Sequence, residues 1–153
     1  FITQDVMNSY NTEKVELNDL LKRSDFITLH VRLNENTRKM IGRKEFELMK
    51  KNAYLINSAR AGLVDNGELY KVLKQKKLAG AALDVFDEEP LPKGNKLLKL
   101  DNLTLTPHLA SSTIDCAKKS PMMLLKDIRT FIKGEIPKTI VNKKVLKQFS
   151  LNL

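Results

Sequence analysis

The alternation of apolar and polar positions divides the chain into short strands separated by helical stretches. Phe26-Ile27-Thr28-Leu29-His30-Val31 is almost wholly apolar and β-branched, the pattern of a strand covered on both faces. Ala53-Tyr54-Leu55-Ile56-Asn57-Ser58 predicts a second buried strand, and Ala79 to Val85 a third built from small residues, onto which something must pack closely. Leu103 to Thr106 alternates and predicts a fourth strand, which Pro107 stops because it has no backbone donor. Between these runs, spacing predicts helices over Phe1 to Tyr10, Asp19 to Arg23 (capped by Asn18), Arg43 to Met49, and from an Asp65/Glu68 capping box to about Lys76. A long helix follows from about Ser112 to Lys133, kinked at Ser120-Pro121, with Gly134 as its stop. Val15 to Leu17 reads as a brief strand.

Strand and helix therefore alternate, and the connections are long enough for crossover helices. The expected fold is α/β: a parallel sheet flanked by helices on both faces. A chain of 153 residues can bury a core without metal or disulfide. The single Cys116 cannot form an internal bridge and fits a reducing, cytoplasmic compartment. No apolar run is long enough to span a membrane, and no His/Cys cluster has metal-ligand spacing, so no metal is expected.

The net charge of +9 raises nucleic acid as a partner, but its distribution argues otherwise. Residues 1–115 carry 18 basic and 16 acidic side chains, whereas residues 116–153 carry nine basic against two acidic. That excess sits in a lysine-rich end with few aromatics for stacking, and a solvated helix face explains it more simply.

In a parallel sheet the carboxyl ends of successive strands share one rim, where ligands bind. Arg60, the acidic stretch Asp84 to Glu89, and His108 each follow such a strand end. A guanidinium can hold a carboxylate by two hydrogen bonds, and a carboxylate beside an imidazole orients the ring for proton transfer at an alcohol or carbonyl oxygen. Simpler readings stay open for each: Arg60 pairing with Asp65 or Glu68, Asp84 capping a turn, His108 capping the following segment. His30, inside an apolar strand, reads as structural, and Cys116 as a bystander.

Several of these stretches resemble one known family. Ser24 to Val31, Leu55 to Asp65, Ala79 to Pro90, Leu105-Thr106-Pro107-His108, and Ile128 to Asn142 together resemble the nucleotide-binding domain of the D-isomer-specific 2-hydroxyacid dehydrogenases, which include D-3-phosphoglycerate dehydrogenase. The resemblance implies an incomplete Rossmann-type domain and an NAD-dependent interconversion of a D-2-hydroxy acid and a 2-keto acid, with NADP also open. It implies that Arg60 binds the substrate carboxylate and carbonyl oxygen, that Glu89 pairs with the catalytic His108, and that Asp84 meets the nicotinamide carboxamide. It also places Val31, Thr37, Ser58 and Ala59, and Leu109, Ala110 and Ser111 along the cofactor, and pairing of two copies through the nucleotide domain.

Two departures stand out. Arg32 occupies a place where the family commonly has proline. The six glycines, at 42, 62, 67, 80, 94 and 134, nowhere form G-x-G-x-x-G, the loop that cradles a pyrophosphate. The chain opens on Phe1, and the resemblance implies a carboxyl-terminal part of such an enzyme: residues 1–111 as a partial NAD-binding domain, and residues 112–153 as a crossover helix and last segment of a substrate domain.

Overall fold

The computed structural model describes residues 3–148; Phe1 and Ile2 of the expected first helix, and Phe149, lie outside the described residues. The chain divides into two compact units, Phe1–Leu109 and Ala110–Leu153.

The first unit is built on four parallel strands in sequential order: β1 (Phe26–Leu29), β2 (Tyr54–Asn57), β3 (Gly80–Leu83) and β4 (Leu103–Leu105). The register pairs Leu29 with Asn57, Asn57 with Leu83, and Leu83 with Leu105, so the four strands end level with one another. Around them lie α1 (Gln4–Ser9), α2 (Leu17–Arg23), α3 (Arg43–Leu48) and α4 (Asn66–Lys74). Short 3-10 turns form at Ala61–Leu63 and Lys96–Lys99.

Helices on both faces were expected, but within this unit only one face is covered. Right-handed crossovers in a sequential 1-2-3-4 order put every connection on the same side. The burial follows: Ile27, Leu29, Leu55, Asn57, Ala81 and Leu83 are buried, while Phe26, Thr28 and Tyr54 alternate with them and are exposed. On the open face the Phe26 and Tyr54 rings stack, with centroids 5.4 Å apart. The all-apolar run of β1 had suggested burial on both sides; in fact it divides into one core face and one aromatic outer face.

Two other expectations change. The brief strand at Val15 to Leu17 is absent, because Leu17 opens α2 and Glu16, not Asn18, is its N-cap. Leu17, Leu20 and Leu21 recur at helical spacing and turn toward the core, with Leu21 wholly buried, so helical periodicity prevails over the local β-branched residue. His30 lies just beyond β1 and is exposed, its Nε2 2.9 Å from Thr28 Oγ1, rather than buried within a strand.

The small residues of β3 do admit a close neighbour. A Cβ on Gly80 would stand 2.9 Å from Tyr54 Cε1 and 3.0 Å from the Asn102 carbonyl oxygen. The carbonyl belongs to backbone fixed by the Ala81 N–H bond to it, so it cannot swing aside. Gly80→Ala is expected to lower stability by roughly 1–3 kcal/mol through overpacking, read as a fall in the urea midpoint with an unchanged slope. A midpoint equal to that of the parent would show that the strand shifts at no cost.

In the second unit, α5 (Ile114–Ile132) begins at Thr113, whose hydroxyl accepts from the Cys116 N–H, and runs through Pro121 as one helix. It ends as expected at Gly134, with φ +74°. The Gly134 N–H bonds the Phe131 carbonyl and the Glu135 N–H reaches back to Thr130, the paired bonds of a Schellman cap. A 3-10 segment follows at Lys143–Gln148. No helix among the described residues is long and apolar enough to cross a membrane, and no cluster of metal-ligating side chains occurs among them.

Candidate active site

Each strand end contributes one element to the carboxyl rim of the sheet. After β2 the chain turns through Ser58, Ala59 and Arg60, and this turn is built by Asn57. Period-2 alternation places Asn57 on the core face beside Leu55, where it is 1 % exposed. A buried amide must find partners. Its Oδ1 accepts the Ala59 N–H at 3.1 Å and its Nδ2 donates to the Arg60 carbonyl at 2.9 Å, so one side chain fixes the backbone on either side of the turn. Beyond it, the Lys39 and Ile41 N–H groups bond the Gly62 and Leu63 carbonyls, pinning the following segment to the loop after β1.

Arg60 itself projects into solvent, with Nη1 donating to the Ala59 carbonyl at 2.6 Å. It pairs with neither Asp65 nor Glu68: Asp65 bonds Lys39 and caps α4, and Glu68 bonds Lys71. Among the described residues Arg60 forms no ion pair; Nη1 is engaged by the Ala59 carbonyl, and the side chain is otherwise exposed.

After β3, Asp84 is buried, 6 % exposed, and its N–H bonds the Asn57 carbonyl. Its Oδ1 accepts both the Thr106 hydroxyl and, at 2.8 Å, the Leu109 N–H. Asp84 therefore ties down the two sides of the turn that carries His108. That turn is unusual: His108 has φ +56°, in the left-handed region that costs a non-glycine residue about 1 kcal/mol or more. The Thr106 N–H continues the ladder to the Leu83 carbonyl, and the His108 N–H folds back on the Thr106 carbonyl.

His108 Nδ1 lies 2.7 Å from Glu89 Oε2. The other carboxylate oxygen of Glu89 accepts the Phe86 N–H at 2.9 Å, which fixes the carboxylate's orientation. The contact with His108 holds the Glu89 carboxyl below the usual range, with the Phe86 N–H adding to the effect and partial desolvation opposing it. A lowered value means that Glu89 stays ionised through neutrality; the pair is formed above the ordinary carboxylate range and lost as pH falls through the lowered value. An ionised carboxylate only accepts, so Nδ1 carries the hydrogen and Nε2 is left to exchange a proton. The ring stands at the edge of a cleft of about 510 Å³ lined by Phe86, Glu89, Pro90, Leu91, Leu98, Leu105, Thr106 and Pro107.

Not every residue assigned by resemblance joins this cluster. Val31 is exposed beyond β1, and the Thr37 hydroxyl is engaged within its own loop, donating to the Arg32 carbonyl and accepting the Asn34 N–H. Ser58 and Ala59 are half-buried in the turn after β2, and Leu109 is exposed beside Asp84. Ala110 and Ser111 open the second unit and are exposed. Asn57 and Thr106 were expected only as strand residues and not as members of the site. Asn57 carried a legible signal, a lone amide in phase with buried residues of an apolar strand; Thr106 carried none, since a β-branched residue ending a strand is unremarkable.

Comparison with known proteins identifies the family. Residues 2–110 match the family model described as D-isomer specific 2-hydroxyacid dehydrogenase, NAD binding domain. A D-3-phosphoglycerate dehydrogenase of Methanocaldococcus jannaschii is 45% identical over 152 residues, which are 99% of this chain and 29% of that one. A glyoxylate reductase of Thermofilum pendens is 44% identical over 90% of this chain and 40% of its own. The NAD-complexed D-isomer specific 2-hydroxyacid dehydrogenase of Lactobacillus delbrueckii ssp. bulgaricus superposes with TM-score 0.82 at 34% identity, over 93% of this chain and 46% of that one. The chain thus spans less than half the length of each of these three relatives. With a sequential parallel sheet, a His–Glu pair at its carboxyl rim, and a family match over most of its length, the chain belongs to the D-isomer specific 2-hydroxyacid dehydrogenase family.

Proposed function

We propose that this chain carries the proton-transfer and substrate-anchoring part of a nicotinamide-dependent enzyme that interconverts a D-2-hydroxy acid and a 2-keto acid. The observation that carries this reading is the 2.7 Å contact of His108 Nδ1 with Glu89, beside an open cleft. Glu89 sets the tautomer and orientation of the ring, and His108 Nε2 gives a proton to the substrate's carbonyl oxygen in reduction or removes the hydroxyl proton in oxidation. Arg60 grips the substrate carboxylate with its planar fork.

The residues at the rim suit the nicotinamide end of the cofactor: a fixed carboxylate at Asp84 and an exposed apolar side chain at Leu109, with the Ser58–Ala59 turn on the neighbouring strand. Within the first unit, Val31 and Thr37 extend the proposed cofactor surface. The reduced nicotinamide, NADH or NADPH in its place, would supply the hydride in keto-acid reduction, and the oxidised form would accept it from the hydroxy acid in the reverse direction. G-x-G-x-x-G does not occur in the 153 residues, so these residues are not proposed to hold the pyrophosphate. Two copies pairing through the nucleotide unit, and a cytoplasmic setting that keeps Cys116 reduced, belong to the same reading.

The test is oxidation of NADH and NADPH by the complete protein with a panel of 2-keto acids, glyoxylate among them. Turnover with at least one keto acid is expected, with the D configuration wherever the product is chiral. Absence of turnover with the whole panel, from folded protein that binds the cofactor, would overturn the reading.

A further inference from the structure

Nothing in the proposed chemistry requires Thr106, yet its placement is specific. Two residues that flank the histidine converge on one group: the Thr106 hydroxyl and the Leu109 N–H bond the same oxygen of Asp84, and His108 lies between them in the left-handed conformation. Asp84 is buried and is itself anchored through its N–H to the Asn57 carbonyl of the neighbouring strand. A left-handed non-glycine residue persists only where its surroundings hold it. Here the turn is held at both ends, by Thr106 before the imidazole and Leu109 after it.

We propose that Thr106 is a positioning residue for His108, acting through Asp84. Its hydroxyl and the Leu109 amide close a clamp on one carboxylate, and the clamp holds the backbone in the conformation that carries Nδ1 to Glu89. The inference rests on the acid/base reading of His108 given above. It differs from that reading in assigning a function to a side chain whose hydroxyl is bonded to Asp84 rather than to His108 or Glu89. Valine matches the shape of threonine without the hydroxyl, whereas serine keeps the hydroxyl and drops the methyl group.

The test compares Thr106→Val, Thr106→Ser and His108→Ala in the complete protein, with a 2-keto acid that the parent reduces. Thr106→Val is expected to lower kcat about tenfold with KM little changed, since the anchoring group at Arg60 is untouched. Thr106→Ser is expected to stay within about twofold of the parent, because the hydrogen bond survives. An independent readout is the imidazole nitrogen and carbon NMR signals of His108, assigned by their loss in His108→Ala. In Thr106→Val the signal of the Glu89-bonded Nδ1–H should broaden or shift, and the Leu109 amide should exchange faster; in Thr106→Ser both should match the parent. If Thr106→Val keeps both the kcat and the His108 spectrum of the parent while His108→Ala is inactive, the clamp is refuted and the acid/base reading stands. If His108→Ala retains parental turnover, the acid/base reading falls. Should Thr106→Val fail to fold, a folded Thr106→Ser that loses turnover tenfold or more would refute the role of the hydroxyl, and a parental one would support it.

Discussion

Replacing His108 with alanine in the complete protein is expected to lower kcat by about 10²–10⁴-fold, the usual worth of a positioned general acid or base. The size of the effect follows from what the site offers instead. Glu89 is ionised and accepts only, and in the proposed arrangement the Arg60 guanidinium is committed to the substrate carboxylate, so neither replaces Nε2 as a donor to the carbonyl oxygen. The fold should survive. His108 is exposed, and its ring's hydrogen bond to Glu89 lies at the surface, so the melting temperature should change little. Alanine in fact meets the same left-handed backbone as histidine, so that strain is not relieved. The measurement is steady-state reduction of a 2-keto acid across pH, beside a thermal melt. Parental kcat at neutral pH in a folded His108→Ala protein would remove His108 from the reaction.

How much of this arrangement was legible beforehand depends on the scale at which the chain is read. The four strands were visible because β-branched and apolar runs end at Pro107, or at small and polar residues such as Ser58 and Asp84. Their common rim followed from parallel pairing alone. What periodicity did not reveal was which face of β1 meets the core: Phe26, Ile27 and Leu29 are equally apolar, and only the side taken by the crossovers separates them. Convergence of Arg60, Glu89 and His108 on one edge was legible in the strand pattern, whereas the Glu89–His108 pair was implied only by the family resemblance. His108 and Glu89 touch, whereas Arg60 folds over its own Ala59 carbonyl. The reason is local: the Glu89 side chain is aimed by the Phe86 N–H three residues earlier, and the Arg60 backbone by Asn57 three residues earlier. Such side-chain to backbone bonds depend on turn conformation, which composition leaves open.

The second large effect is expected at Arg60. Arg60→Lys should raise KM for the 2-keto acid about 10–100-fold while kcat falls less, because the exchange keeps the charge and removes the fork. A charge-assisted hydrogen bond contributes about 1.5–3 kcal/mol, and each 1.4 kcal/mol is tenfold in affinity. An ammonium is a compact, strongly hydrated point charge that cannot present two parallel donors to a carboxylate. The loss falls on binding rather than chemistry because the backbone of the turn does not depend on the guanidinium. Asn57 holds the Ala59 N–H and the Arg60 carbonyl whatever side chain residue 60 carries, and the Nη1 bond to Ala59 lies at an exposed surface. Stability of Arg60→Lys should therefore stay within about 0.5 kcal/mol of the parent, as for most exposed substitutions. The substrate's own carboxylate supplies a control. An analogue with that group replaced by a neutral amide should bind the parent weakly and discriminate far less between the parent and Arg60→Lys. If the two proteins share one KM for the keto acid, the guanidinium does not hold the carboxylate.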